Sequence, residues 1–193
     1  MRDGFIKVAA GTPEIRVADC AYNAQACVTL IREAQEQGVK VLALPELCLT
    51  GYTCGDLFFQ DTLLRGAEDA LGQVLKATKP VDMLVALGLP VRVEGKLYNC
   101  AAVLCRGELL GLVPKTCLPN YGEFYEKRWF EPAPEEEFFS LTLCGQTVYL
   151  GKNQLFRCDN LPDLVVGVEI CEDLWSPAPP SVSLAQSGAT LIL

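Results

Sequence analysis

The order of apolar runs and breaks over the first 114 residues is what most constrains this chain's fold. Phe5–Ala10 reads as a strand, and Gly11–Ala18, with a proline and mixed charge, as a loop. From Asn23 to about Gln37, apolar Ala24, Cys27, Leu30, Ile31 and Ala34 recur on one helical face, and Gly38 ends the helix. Asn23 is the expected cap. Val39–Leu44 is a second, buried strand, which makes a βαβ-like opening. Asp56 is expected to cap a second helix, from Leu57 to about Lys76, with Leu63, Leu64, Ala67, Leu71, Val74 and Leu75 on its apolar face. The pattern then changes. Met83–Leu89 is a third strand, Pro90 allows a bend, and Val91–Tyr98 is a hairpin turning at Glu94-Gly95. Asn99–Cys105 and Leu109–Pro114 are strands joined by a turn at Arg106-Gly107-Glu108. Hairpin-linked strands after a βαβ-like opening predict a large mixed sheet in an α/β domain.

Short strands are expected at Phe138–Leu143 and Gln146–Leu150, and an exposed acidic loop at Glu131–Glu137, which holds the low-complexity tract Glu135-Glu136-Glu137. The β-branched run Leu164–Ile170 reads as a further buried strand. A short helix over Ser181–Gln186 turns through Ser187-Gly188-Ala189 into a strand from Thr190, in which the sequence stops, so residues 1–193 are expected to be a truncated domain. The length and the 50% hydrophobic share suit one domain with a real core. No apolar run has the length of a membrane span, and no basic-then-apolar leader is present. A net charge of −8 argues against a general nucleic-acid surface and gives no reason to expect membrane binding. Neither GxGxxG nor a P-loop occurs, so a phosphate cradle is not expected. The ten cysteines form no Cys-x-x-Cys pair, and Cys48, Cys100, Cys105 and Cys144 sit in apolar runs, as reduced buried thiols do. The expected compartment is the cytoplasm.

The chain contains no histidine, which excludes Cys-His and Ser-His mechanisms within it and any histidine-based metal site. A nucleophile here has only a carboxylate or a lysine to activate it. Cys171 stands at the exit of an apolar strand, followed by Glu172, Asp173 and Trp175. It reads either as an inert small hydrophobe or as a nucleophile held by its strand and exposed by its turn. Glu46, leaving the second strand after Pro45, is either a solvated strand end or a partly desolvated base. Lys115 follows Pro114 at another strand end, where a surface lysine is the ordinary reading. Together the three make a workable set: the carboxylate takes the thiol proton, the thiolate attacks a carboxamide carbon, and the ammonium steadies the oxyanion, aided by backbone N–H groups after Cys171 such as that of Glu172. Leu118–Phe130 mixes five aromatics with balanced charges and suits a pocket wall or an oligomer contact better than nucleic acid.

These residues carry a resemblance. Leu44-Pro45-Glu46-Leu47 with Thr50-Gly51-Tyr52, Pro114-Lys115-Thr116-Cys117-Leu118-Pro119-Asn120-Tyr121, Glu126-Lys127-Arg128-Trp129-Phe130 and Glu169-Ile170-Cys171-Glu172-Asp173-Leu174-Trp175 are together similar to the nitrilase or carbon-nitrogen hydrolase superfamily. Within it they resemble the N-terminal glutaminase domains of glutamine-dependent NAD synthetases. The resemblance implies a four-layer α-β-β-α sandwich, with Glu46 as general base, Lys115 as oxyanion stabiliser and Cys171 as nucleophile. It implies an assisting glutamate, Glu126 or Glu123, and a glutamine pocket lined by Tyr52 and Tyr121. It also implies homo-oligomers, no cofactor or metal in this segment, and a separate synthetase domain using ATP and magnesium to convert nicotinic acid adenine dinucleotide to NAD. Two other readings remain: an amidase of the same superfamily acting on a small linear amide or N-carbamoyl compound, and a non-catalytic assembly module.

Overall fold

The computed structural model describes residues 5–134 and 138–193. The first strand, β1 (Val8–Ala10), leads into α1 (Cys20–Glu36) and β2 (Val41–Ala43). After a 3₁₀ stretch at Tyr52–Phe59 come α2 (Asp61–Thr78), β3 (Leu84–Val93), β4 (Lys96–Cys105) and β5 (Glu108–Pro114). A 3₁₀ turn at Glu126–Arg128 precedes β6 (Phe139–Leu143), β7 (Gln146–Leu150), β8 (Phe156–Cys158) and β9 (Leu161–Gly167). The described chain closes with α3 (Glu172–Trp175), α4 (Pro180–Gln186) and β10 (Leu191–Ile192).

The strands form two sheets, one of seven in the order β1-β2-β3-β4-β5-β7-β6 and one of three in the order β10-β9-β8. The βαβ opening gives parallel β1/β2 and β2/β3 pairs, and the two hairpins give antiparallel β3/β4 and β4/β5. Alternation along β3 and β4 sends Val85, Leu87, Leu89, Cys100, Ala102 and Leu104 into a core shared with α1 and α2. The opposite face, Ala86, Ala101 and Val103, packs with Phe156 and Val166 of the small sheet and with Val168 and Ile170 just beyond β9. On that sheet's outer side Leu184 of α4 covers Gly167. The layers are therefore helix, sheet, sheet, helix, as expected. Burying about five large side chains on the inter-sheet face alone, at ~1.5–3 kcal/mol each, holds the layers together.

Several local expectations need correction. Asn23 lies inside α1, and the cap is Asp19, whose carboxylate accepts from the Tyr22 N–H. Asn23 is instead buried and clasps the Arg16 backbone and the Leu49 carbonyl. Asp56 caps no helix: α2 begins at Asp61 behind an extended Gln60, while Asp56 accepts from Arg128 and Trp129. Pro90 does not bend β3. Because β2 pairs only with Leu84–Ala86, the missing Pro90 N–H leaves no ladder bond unmade. The strand before Cys171 ends at Gly167, and β8 carries too little periodicity to be read from sequence. Residues 135–137 of the expected acidic loop, with their low-complexity tract, lie outside the described residues. Among the described residues, no helix is long and apolar enough to cross a membrane.

Candidate active site

Three strand exits converge at one end of the two sheets. The first follows β2, where the chain turns through Pro45-Glu46-Leu47 and crosses β3 at Gly88. A Cβ on Gly88 would stand 2.1 Å from the Leu47 nitrogen, so only glycine admits the crossing. Leu47 takes a φ of 51°, and the Leu49 N–H bonds the Gly88 carbonyl at 3.1 Å. Glu46 is thereby aimed along the inter-sheet face. The second exit is Lys115, whose N–H continues the β4 ladder by donating to the Asn99 carbonyl at 2.8 Å. The third is Cys171, which leaves the small sheet at a φ of 48°, uncommon for a side chain with a Cβ.

Lys115 is not a surface lysine. Its side chain is fully buried, and its ammonium donates to Glu46 Oε1 and Glu126 Oε1, both at 2.7 Å. An ammonium has three N–H donors, so one is left beyond these two bonds. Glu126 is also buried; its Oε1 additionally accepts from the Tyr52 hydroxyl at 2.8 Å, while Oε2 has no partner among the described residues. Of the two glutamates left open by the sequence, Glu126 meets Lys115, and Glu123 is exposed. Asn99 donates to Glu46 Oε1 at 2.5 Å and fixes that carboxylate from the β4 side.

The electrostatics follow from this packing. Burial pulls the Lys115 ammonium down, but Glu46 and Glu126 more than offset it, and its pKa lies above the usual lysine value. Burial pushes Glu126 up, the Glu46 charge adds to this, and Lys115 opposes it. Burial likewise raises Tyr52, with Glu126 next in effect. Cys171 is pushed up by partial desolvation and by Glu46, with Lys115 pulling the other way. A thiol raised in this way stays protonated at neutral pH, so it would need a neighbouring base to act as a thiolate. A cavity of about 210 Å³ between the sheets is lined by Glu46, Gly88, Ala101, Ile170 and Cys171.

Tyr121, expected in the pocket with Tyr52, stands at the exposed rim and donates to Glu172 at 2.8 Å. The Glu172 N–H, at the start of α3, carries no hydrogen bond among the described residues. Arg128 is occupied by Asp56, and this clasp ties the Tyr52 stretch to the turn that carries Glu126. The sequence reading passed over two residues. Asn99 had a signal, as a lone amide in the apolar run of β4. Asp173 sits two positions after the cysteine, is buried, and accepts three backbone N–H bonds. Burial raises its carboxyl, and the N–H groups of Ile170, Cys117 and Thr116 oppose that rise.

Residues 7–193 match the family model for carbon-nitrogen hydrolases. The glutamine-dependent NAD(+) synthetase of Mycobacterium tuberculosis (strain ATCC 25618 / H37Rv) is 39% identical over 189 residues, which cover 98% of this chain and 28% of that protein. A crystal structure of a glutamine-dependent NAD(+) synthetase from Cytophaga hutchinsonii superimposes with a TM-score of 0.83 at 31% identity, over 97% of this chain and 30% of that one. An amidase from Nesterenkonia sp., at 22% identity and a TM-score of 0.69 over 100% of this chain and 65% of its own, shares the fold. The chain thus spans under a third of the length of the synthetases it matches. With the sandwich, the strand-exit thiol and the bracketed lysine in place, the match over residues 7–193 means that this chain belongs to the carbon-nitrogen hydrolase family.

Proposed function

We propose that this chain is part of a nitrilase-like amidohydrolase domain that hydrolyses the side-chain amide of glutamine through a thioester on Cys171. The observation that carries the reading is the fully buried Lys115 ammonium held between Glu46 and Glu126, beside a strand-exit cysteine in a chain without histidine. Cys171 Sγ attacks the carboxamide carbon as Glu46 takes the thiol proton. The developing oxyanion is met by the remaining Lys115 N–H and the Glu172 N–H. Collapse breaks the C–N bond, and the proton on Glu46 leaves with ammonia. A water, deprotonated by Glu46, then cleaves the thioester, giving glutamate and the free thiol. Glu126 holds Lys115 in place and Tyr52 holds Glu126, with Tyr52 and Tyr121 as the pocket's aromatic contacts.

Glutamine is favoured over other amides by the likeness to two glutamine-dependent NAD(+) synthetases. On that reading the ammonia serves ATP- and magnesium-dependent amidation of nicotinic acid adenine dinucleotide on a C-terminal synthetase domain, in the part of the longer relatives that this chain does not span. The ten free thiols support a reducing compartment such as the cytoplasm, and the exposed Leu174, Trp175 and Val182 beside the site suit self-association.

The test is release of glutamate and ammonia from glutamine by this chain, run beside small linear amides and an N-carbamoyl amino acid, with Cys171→Ala as control. Glutamine turnover that vanishes in the variant supports the reading. Turnover of simple amides alone would favour a different amidase, and no turnover with an unreactive Cys171 would favour an assembly module.

A further inference from the structure

We propose that Asp173 is a positioning residue: by gripping main-chain N–H groups on both sides of the site, its carboxylate fixes Cys171 at working distance from Lys115. The inference rests on the amidohydrolase reading above. Asp173 is 2% exposed, and its carboxylate accepts from three main-chain N–H groups. Its Oδ1 accepts from the N–H groups of Thr116 at 3.0 Å and Cys117 at 2.6 Å, next to Lys115. Its Oδ2 accepts from the Ile170 N–H at 3.0 Å, immediately before Cys171. These two segments leave different sheets, and β5 and β9 are not strand neighbours. One buried carboxylate therefore bridges the sheet that carries the lysine and the sheet that carries the thiol.

The same residue supports the strained turn. The Asp173 N–H donates to the Ile170 carbonyl at 3.0 Å, so residues 170 and 173 exchange two hydrogen bonds across Cys171 and Glu172. The Asp173 carbonyl in turn accepts from the Ser176 hydroxyl at 2.9 Å. A non-glycine residue at positive φ persists only where its surroundings over-determine it, and this closed pair does so at Cys171. The chemistry also calls for a carboxylate. All three partners are donors, so both oxygens must accept. Asparagine has the same shape but would turn an NH₂ toward either the Thr116 and Cys117 N–H groups or that of Ile170. A donor would then face a donor in a buried position, where an unmade hydrogen bond is costly.

The experiment compares the 193-residue chain with its Asp173→Asn variant in iodoacetamide alkylation of Cys171 across pH, read on the Cys171 peptide by mass spectrometry. Thermal melting and glutamine kinetics are measured on the same samples. The Cys171 thiol is raised by burial and by Glu46. If the variant releases it from that setting, the alkylation midpoint moves down toward that of a free thiol. The kcat for glutamine should fall by about 10²-fold, the scale of a ~1 Å misplacement, with KM little changed. A folded variant with the wild-type alkylation profile and kcat would overturn the proposal. If the variant does not fold, amide hydrogen exchange in the unmodified chain decides. The N–H groups of Thr116, Cys117 and Ile170 should exchange as slowly as sheet-core amides, and open-loop rates there would equally overturn it. If the unmodified chain does not turn over glutamine, the amidohydrolase reading alone fails, and the thiol profile and amide exchange still test Asp173.

Discussion

Replacing Lys115 by methionine keeps much of the side chain's length and apolar bulk but removes the charge that two carboxylates share. Glu46 Oε1 and Glu126 Oε1 each lie 2.7 Å from the ammonium, so they are no farther apart than twice that distance. Two unit charges about 5 Å apart at an effective dielectric of ~20 repel by about 3 kcal/mol, or a little over two pKa units. Removing one partner of a buried ion pair typically costs about 3–5 kcal/mol. The variant limits this cost by taking up a proton, and Glu126, buried and already raised above its ordinary 4.5, is where it binds. A carboxyl whose folded pKa exceeds its unfolded value adds stability at low pH and loses it as pH rises through the folded value. Lys115→Met should therefore be about 3 kcal/mol less stable than the unmodified chain at pH 8. The gap should narrow by up to about 1.4 kcal/mol per unit as pH falls toward 5. The unmodified chain keeps its Lys115 contribution throughout this range, because that pKa is raised above 10.5 and the contribution is lost only as pH climbs through the higher folded value. Urea unfolding, followed by tryptophan fluorescence at several pH values, measures the gap. Equal stability at pH 8, or a constant gap between pH 5 and 8, would contradict the geometry of the bracketed lysine.

Other perturbations have equally definite outcomes. Glu46→Gln removes a charge that raises Cys171, so the alkylation midpoint of that thiol should move down while glutamine turnover falls by about 10²–10⁴-fold, as for a lost general base; an unmoved midpoint would separate the two side chains. Gly88→Ala places a methyl 2.1 Å from the Leu47 nitrogen and should cost about 1–3 kcal/mol in denaturant unfolding as well as activity, because the Glu46 turn must lift from β3. Joined to an ATP-dependent amidating domain, a Cys171→Ala chain should lose NAD formation from glutamine but keep it from ammonium salt, and loss of both would point to a structural role for Cys171.

The main architecture was legible because strand, helix and hairpin signals along residues 5–114 agree with one another, and the absence of histidine narrowed the chemistry before any contact was known. Lys115 shows where sequence reasoning stops. Nothing around it says that it is buried, because its two partners lie 69 and 11 residues away and are brought to it by two other segments. The caps failed for a related reason. Asn23 and Asp56 both have the chemistry of a cap, but tertiary contacts with Leu49 and Arg128 claim their side chains. Strand β8 is only three residues long and draws its stability from β9 rather than from its own pattern. Asp173 was visible as a letter in a motif, yet its role depends on backbone donors on the segment that leaves the other sheet.

The central claim is that Cys171 is the acyl-bearing nucleophile, and covalent trapping tests it most directly. The chain is incubated with a glutamine analogue that carries an electrophilic diazoketone in place of the carboxamide, and the intact mass and modified peptide are then determined. One adduct on the Cys171 peptide is predicted, formed far more slowly in Lys115→Met and Glu46→Gln and blocked by excess glutamine. An adduct on another cysteine, such as Cys117, or labelling indifferent to both glutamine and the two variants, would contradict the account.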